Sequence, residues 1–348
     1  MKAAILYKPL SLEVKEIDIP QPKPGELVIK VDTSGLCPSD VKVYKYGGHN
    51  VKYPVILGHE VSGVVYSIGE GVEGFKKNDR VIVAADAFCG RCKMCRTGRE
   101  NLCENPLSLG YNVDGAHADY MLVPRRFIER GGVIKVPDWM PLEPMAMTEP
   151  LACAIHSLNM MNVHYDDEVL IIGDGPMSLL HVTAAKAFGI SKIAVIGIID
   201  WKLKIAESLG ATHTYYNSPD IEKTIENVKK DFPNGFAGIS VTVVNEQTVN
   251  EALKLSSKGG RVVIFAGLPS NNSKYMIDSN IIHYNEIDLT GSSGYTYYEF
   301  ELAYRLLLKE HESAMKIVTH KFKLEDIHEA IKAWDDKNSS SKILLKRS

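Results

Sequence analysis

Residues 168–178 read EVLIIGDGPMS, and the next stretch, to residue 189, reads LLHVTAAKAFG. The run Val169–Ile172 has the length and β-branched content of a buried strand. The residues after Gly175 carry apolar side chains at helical spacing. Between them stands Gly173-x-Gly175-x-x-Ser178. Glycine permits the tight turn and lets a pyrophosphate approach the first turn of the helix, where backbone N–H groups have no partner. Ser178 replaces the third glycine with another small residue. The motif alone can also be an ordinary strand–helix turn, but strand before and helix after is the context in which it reads as a dinucleotide site. Gly173, Gly175, Pro176 and Met177 are the first candidate cofactor contacts.

Outward from this turn the pattern repeats. KIAVIGII is a second strand, DWKLKIAESLGA a helix with Asp200 at its N-cap, SVTVVN a third apolar run, VNEALKLSSKGG a helix and RVVIFAG a further strand. Strands alternating with helices predict a doubly wound α/β unit with a parallel sheet. An acid is expected where the second strand ends, to bond the adenosine ribose hydroxyls. Aligned on LGAT at 209–212, that place is Gly197. Without a carboxylate to repel a 2′-phosphate, and with Lys202 and Lys204 following, NADP or dual use is favoured over strict NAD. Lys202 as a plain solvated helix residue is the alternative. Gly267, after RVVIFAG, completes the candidate contacts; VVNEQ, after the preceding strand, has neither the acid nor the glycine common there.

The flanks read differently. Up to about Pro150 the chain has short Val- and Ile-rich runs broken by Gly and Asp, the pattern of a β-rich domain. The tail from about Gly294 holds two helical patterns and a short final strand, KILLKR. A chain of 348 residues exceeds what one core supports. The expected division is therefore a nucleotide domain at 153–293 inserted in a second domain formed by 1–152 and 294–348. The formal charge of −3 gives no electrostatic reason for a nucleic-acid or anionic-membrane partner. The opening MKAAILYKPLSLEVKE has no signal-peptide core, and no apolar run spans a bilayer, so a cytoplasmic protein is expected.

Four of the six cysteines, Cys89, Cys92, Cys95 and Cys103, form C-x2-C-x2-C-x7-C. Four thiolates this close can surround one ion and leave no open position, the arrangement of a structural zinc. The glycines and basic residues between them suit a tight, solvated lobe at about 86–104. Cys-x-x-Cys is also a redox motif, but the thioredoxin-like unit that would carry it is not visible.

Cys37 in SGLCPSD, His59 and Glu60 in ILGHEVSG, and Glu149 in MTEPLACAIH are individually weak signals. Together with the cysteine quartet, the segment Gly58-His59-Glu60-x-x-Gly63-x5-Gly69-x-x-Val72, the stretch DGAHADYMLVP and the closing KILLKR, they resemble the zinc-binding medium-chain alcohol and polyol dehydrogenases over essentially the whole chain. The resemblance implies a GroES-like catalytic domain beside the Rossmann domain. It makes Cys37 and His59 ligands of a catalytic zinc with an open position, and Glu60 a ligand or a neighbour that exchanges with water. Glu149 occupies a place that many alcohol dehydrogenases fill with cysteine and polyol dehydrogenases with glutamate, which favours a polyol-type substrate. An open zinc position would make an alcohol acidic enough to release hydride to NAD(P). Ser39 matches the family's proton-relay hydroxyl; its other reading is a turn-capping serine. Pro38, Lys42, Ala116 and His117 depart from the family pattern. Lys42 stands where a histidine often continues the relay, and His117 either faces the substrate or fills an aromatic slot. Cys153 reads as a core residue. The implied activity is oxidation of a secondary alcohol, a polyol or sugar alcohol that is free or phosphorylated. A threonine-type dehydrogenase is the runner-up, a zinc-free quinone-reductase-like or non-catalytic relative the alternative class. The implied partner is a small alcohol or ketone, and the implied assembly a homodimer or homotetramer.

Overall fold

The computed structural model describes residues 1–48, 50–268 and 273–347. It divides into two compact units, 1–149 with 296–348, and 150–295.

The first unit is built on a mixed sheet whose central strand, Leu27–Leu36, is buried along most of its length. Across the sheet the strands run Val133–Lys135, Arg80–Val83, Glu60–Ile68, Leu27–Leu36, Lys342–Lys346 and Val318–Phe322, with Tyr120–Val123 also paired to the central strand. The C-terminal strand is thus antiparallel to one near the N-terminus, with Ile343 opposite Leu36 and Leu344 opposite Gly35. On the other side of the central strand Glu60 lies opposite Gly35. Three neighbouring strands therefore bring Cys37, Glu60 and Lys342 together at one end of the sheet. A smaller sheet of Ser11–Glu16, Lys2–Lys8 and Val55–Ile56 completes the unit's strand architecture beside a short pair, Asp86–Ala87 with Leu107–Ser108. That short pair closes the base of the cysteine lobe.

The second unit is a six-stranded parallel sheet: Glu168–Ile172, Lys192–Gly197, His213–Tyr216, Phe236–Val241, Ser256–Ile264 and Asp288–Gly291. Numbered along the chain, these lie in the order 3-2-1-4-5-6. Helices Pro176–Ala187, Asp200–Leu209, Ile221–Asp231, Glu246–Leu255 and Ser279–Asn285 make the connections. Strands such as EVLII and KIAVIG are apolar at nearly every position because both faces of the sheet are covered. The order reverses between Glu168–Ile172 and Phe236–Val241, and ligands of open α/β sheets bind outside the strand ends at such a reversal.

Sheet packing in the first unit is close enough to forbid side chains at certain positions. A Cβ on Gly63 would stand 2.4 Å from the carbonyl oxygen of Lys30 on the adjoining strand. A Cβ on Gly291, in the second unit, would meet its nearest neighbour at 3.9 Å. Gly63→Ala is expected to cost about 1–3 kcal/mol, as overpacking does. Gly291→Ala is expected to change the thermal midpoint far less. Calorimetric scans of the two variants check this, and equal midpoints would contradict the register described.

Candidate active site

Cys37 ends the approach from the central strand and sits at the N-cap of helix Pro38–Tyr46. His59 precedes and Glu60 begins the strand Glu60–Ile68. One ligand atom from each of Cys37, His59 and Glu60 lies within 4.8 Å of the others. His59 is 6 % exposed and Glu60 fully buried.

Asp40, three residues after Cys37, organises this cluster. Its Oδ1 lies 3.3 Å from Nδ1 of His59 and accepts from the N–H of Gly58 at 3.3 Å. Its Oδ2 accepts from the N–H of Cys37 at 3.1 Å and lies 3.5 Å from Nε2 of His117. With Nδ1 turned to a carboxylate, His59 directs Nε2 toward Cys37 and Ser39. That is how metal-binding imidazoles are oriented. Burial alone would raise the Asp40 carboxyl, but His59 and His117 outweigh it and hold it well below the usual carboxylate range. Burial likewise opposes a charged His59, and Asp40 and Cys37 overcome it and raise its pKa well above the ordinary value.

Glu60 projects into space that Gly35 leaves open; a Cβ there would collide with Oε2. That oxygen pairs with Nζ of Lys342, an ion pair in which both side chains are almost wholly buried. The other oxygen, Oε1, is buried without a hydrogen-bond partner among the described residues. Glu149 lies in the first turn of helix Thr148–Met161 and is 8 % exposed. Burial pushes its carboxyl up to about 7; His59 opposes the rise, while Glu60 adds to it. Glu149 does not belong to the 4.8 Å set. Ser39 donates to Sγ of Cys37 at 3.1 Å and lies 3.4 Å from Nε2 of His59. Tyr111 stacks obliquely beside His59, ring centroids 6.2 Å apart.

His117 is fully buried between Asp40 and Ser34, whose Oγ is 3.0 Å from Nδ1. It neither faces a substrate nor merely fills an aromatic slot: it is a second imidazole on the carboxylate that orients His59. Gly58, at φ +96°, passes so close that a Cβ would stand 2.5 Å from His117 Nδ1. Cys153, one turn beyond Glu149, is half-buried.

The four lobe sulfurs also lie within 4.8 Å of one another. The Cys92–Cys95 and Cys89–Cys95 separations of 3.5 and 4.0 Å bracket the edge of about 3.8 Å that a tetrahedron with zinc–sulfur bonds of about 2.3 Å requires. Backbone N–H groups of Arg91 and Cys92 bring the Cys89 thiol down to about 6, whereas burial and the neighbouring Cys92 push Cys95 up to about 12. Four thiolates cannot coexist here unaided; a divalent cation removes the conflict. Both donor sets therefore fit zinc.

In the second unit, Gly173 follows the first strand at φ +125°, and Gly175 caps helix Pro176–Ala187 with Pro176 at its first position. Gly173 needs the absence of a side chain, since a Cβ would stand 2.3 Å from Thr242 Oγ1. Ser178, in the third glycine's place, is fully buried with Oγ 2.7 Å from Thr242 Oγ1. Gly197 ends the second strand and Gly267 follows the fifth. The candidate contacts on loops thus lie at the carboxyl ends of parallel strands. Lys202 departs from the solvated-residue reading. It is 2 % exposed, its ammonium 5.3 Å from the Trp201 ring. Lys204 is exposed. The N-cap position belongs to Ile199, not Asp200. The side chain tending this helix start is Asp174, whose Oδ2 accepts from the N–H groups of Ile198 and Ile199 at 2.7 and 2.8 Å.

Sequence reasoning passed over Asp40, Lys342 and Asp174. For Asp40 the signal was present, an acid in the first turn of a helix capped by the candidate ligand Cys37. Lys342 is marked only by opening an otherwise apolar strand.

Two family descriptions match the chain. The GroES-like domain of alcohol dehydrogenases matches residues 23–138, and the zinc-binding dehydrogenase domain matches 176–309. Among curated proteins, sorbitol dehydrogenase of Bacillus subtilis is 33 % identical, covering 99 % of this chain and 97 % of its own. L-threonine 3-dehydrogenase of Caldanaerobacter subterraneus is 30 % identical, covering 97 % and 96 %. A solved alcohol dehydrogenase of Escherichia coli in complex with NADH superposes with a TM-score of 0.89 at 29 % identity, over 100 % of this chain and 99 % of its own. The matches span both units and both cysteine-bearing sites, and on that ground the chain belongs to the zinc-binding alcohol dehydrogenase family, whose members are NAD(P)-dependent oxidoreductases.

Proposed function

We propose that this protein oxidises a secondary alcohol of a polyol or sugar alcohol to the ketone, and reverses the reaction, with hydride passing to and from a nicotinamide dinucleotide. The observation that carries the reading is the gathering of Cys37, His59 and Glu60 within 4.8 Å, with His59 Nδ1 tied to Asp40 and Oε1 of Glu60 buried and unpartnered. Cys37 and His59 would hold the catalytic zinc, and Glu60 would approach it through the oxygen not held by Lys342. Glu149, outside the mutual set but buried beside it, suits a contact through water. When bound, zinc acidifies the alcohol oxygen and the dinucleotide accepts the hydride.

The chain's own residues set the conditions for that chemistry. Asp40 fixes the imidazole orientation and its proton on Nδ1, leaving Nε2 as a donor to metal. Lys342 neutralises part of the charge of Glu60, so that the cavity does not carry an excess of carboxylate. The hydroxyl of Ser39, already within hydrogen-bond reach of two proposed ligands, is placed to take the proton that the alcohol sheds. Carboxylate donors at positions 60 and 149 make the ligand set harder than one dominated by thiolates. Together with the resemblance to sorbitol dehydrogenase, this favours a polyol over a simple alcohol. Cys89, Cys92, Cys95 and Cys103 would hold a structural zinc. A homodimer or homotetramer is the proposed assembly.

Metal analysis of the purified chain should return about two zinc ions, with Cys95→Ser losing the lobe ion and Cys37→Ser the other. One ion or none in the unaltered chain contradicts the reading. Asp40→Asn keeps an oxygen for the Cys37 and Gly58 amides but removes the charge, and should weaken zinc binding at this site by about 10–100-fold. Competition with a chelator measures it. Binding must displace the proton that His59 holds in the metal-free protein. Zinc affinity at this site should therefore fall as pH falls through neutrality, and a pH-independent affinity would contradict the ligand assignment. A cofactor-reduction screen should give its highest kcat/KM with a polyol; threonine at the top would move the assignment to the other relative.

A further inference from the structure

We infer that Asp174 is the residue that reads the adenosine ribose of the dinucleotide, and that it makes this enzyme prefer NAD over NADP. The inference rests on the dinucleotide reading above and goes beyond it.

Gly197 considered alone points the other way, since the strand end that normally carries an acid has no side chain. The structure shows what fills the place. A Cβ on Gly197 would stand 2.7 Å from the Cβ of Asp174 and 2.9 Å from its Oδ2. An aspartate at 197 and the aspartate at 174 thus compete for one volume, and only one of the two positions can carry a side chain. The chain has moved the carboxylate from the end of the second strand to the turn after the first. The strands are immediate neighbours in register, Ile172 opposite Ile196, so the move spans one strand spacing.

The carboxylate is built in rather than loose. Asp174 is 7 % exposed. Oδ2 is held by the N–H groups of Ile198 and Ile199, which fixes the side chain across the end of the second strand. Oδ1 accepts no hydrogen bond among the described residues. A carboxylate with one oxygen anchored by two backbone donors and the other free is suited to accept from a ribose hydroxyl. It is equally suited to repel a phosphate ester at the same position. Of the two lysines that follow, Lys202 is buried in its helix and Lys204 is exposed.

The test is equilibrium binding of NADH and NADPH to the zinc-loaded protein, followed by energy transfer from tryptophan to the reduced nicotinamide. The unaltered chain should bind NADH at least about tenfold more tightly than NADPH. Asp174→Asn retains an oxygen for the two amides and so preserves the loop, but it removes the charge. It should shrink the NADH-to-NADPH ratio by about tenfold or more, with NADPH binding gaining most of the change. The double variant Asp174→Gly with Gly197→Asp removes the competing Cβ, returns the acid to the strand end and should restore the preference; it also serves if the single variant fails to fold. A ratio unmoved by Asp174→Asn overturns the inference, as does a preference of the unaltered chain for NADPH or a double variant that favours NADPH. Failure of the unaltered chain to bind either dinucleotide overturns the dehydrogenase reading as well, so the two failures are told apart.

Discussion

The arrangement depends on a concentration of anionic donors in a place with little water. Cys37, Asp40, Glu60 and Glu149 are brought together on the first unit, and all but Cys37 are nearly or wholly buried. Isolated buried charge is costly, and a chain that gathers several such groups must supply positive charge beside them. Lys342 supplies one and a protonated His59 a second, while burial raises the pKa of Glu149 and Oε1 of Glu60 has no hydrogen-bond partner among the described residues. On the proposed reading a divalent ion would complete the charge balance and would at the same moment displace the proton from His59. The same features that destabilise the metal-free cluster are those that make it a ligand set.

The second unit meets its ligand by a different device. The inner strands of its sheet, such as EVLII, are largely apolar, and its charge requirement is small. It offers strand ends, glycine turns and a helix start to a large anionic molecule. On the inference drawn from Asp174, selectivity there would rest on where a single carboxylate stands, and Gly197 with Asp174 shows that two positions distant in sequence share one volume. Two neighbouring parallel strands end side by side, so either can deliver a short side chain to the same point.

How far the sequence could be read follows from the range of each interaction. The lobe cysteines lie within fifteen residues, so their spacing alone describes a closed tetrahedral site. The strand–turn–helix around Gly173 is likewise local. Cys37, His59, Glu60 and Glu149 lie too far apart for spacing to join them; the resemblance to a known family did so. Lys342 was illegible because its partner is 282 positions away and the pair exists only where the last strand docks against an early one. Asp174 was hidden because the middle residue of a Gly-x-Gly turn is ordinarily unconstrained, and nothing local says that it reaches the next strand. The helix start at Asp200 was misread for the same reason: the N-cap is Ile199, and the side chain bound at that point comes from residue 174, not from Asp200. His117 was visible as a departure, but its contact with Asp40 required the fold.

The central claim is that a zinc ion sits between Cys37 and His59. Diffraction data collected on crystals of the protein on either side of the zinc absorption edge test it directly, with the lobe ion as an internal standard. The account predicts a second anomalous peak, about 2.3 Å from Cys37 Sγ and about 2.0–2.1 Å from His59 Nε2. A strong peak in the cysteine lobe with none beside Cys37 would contradict it.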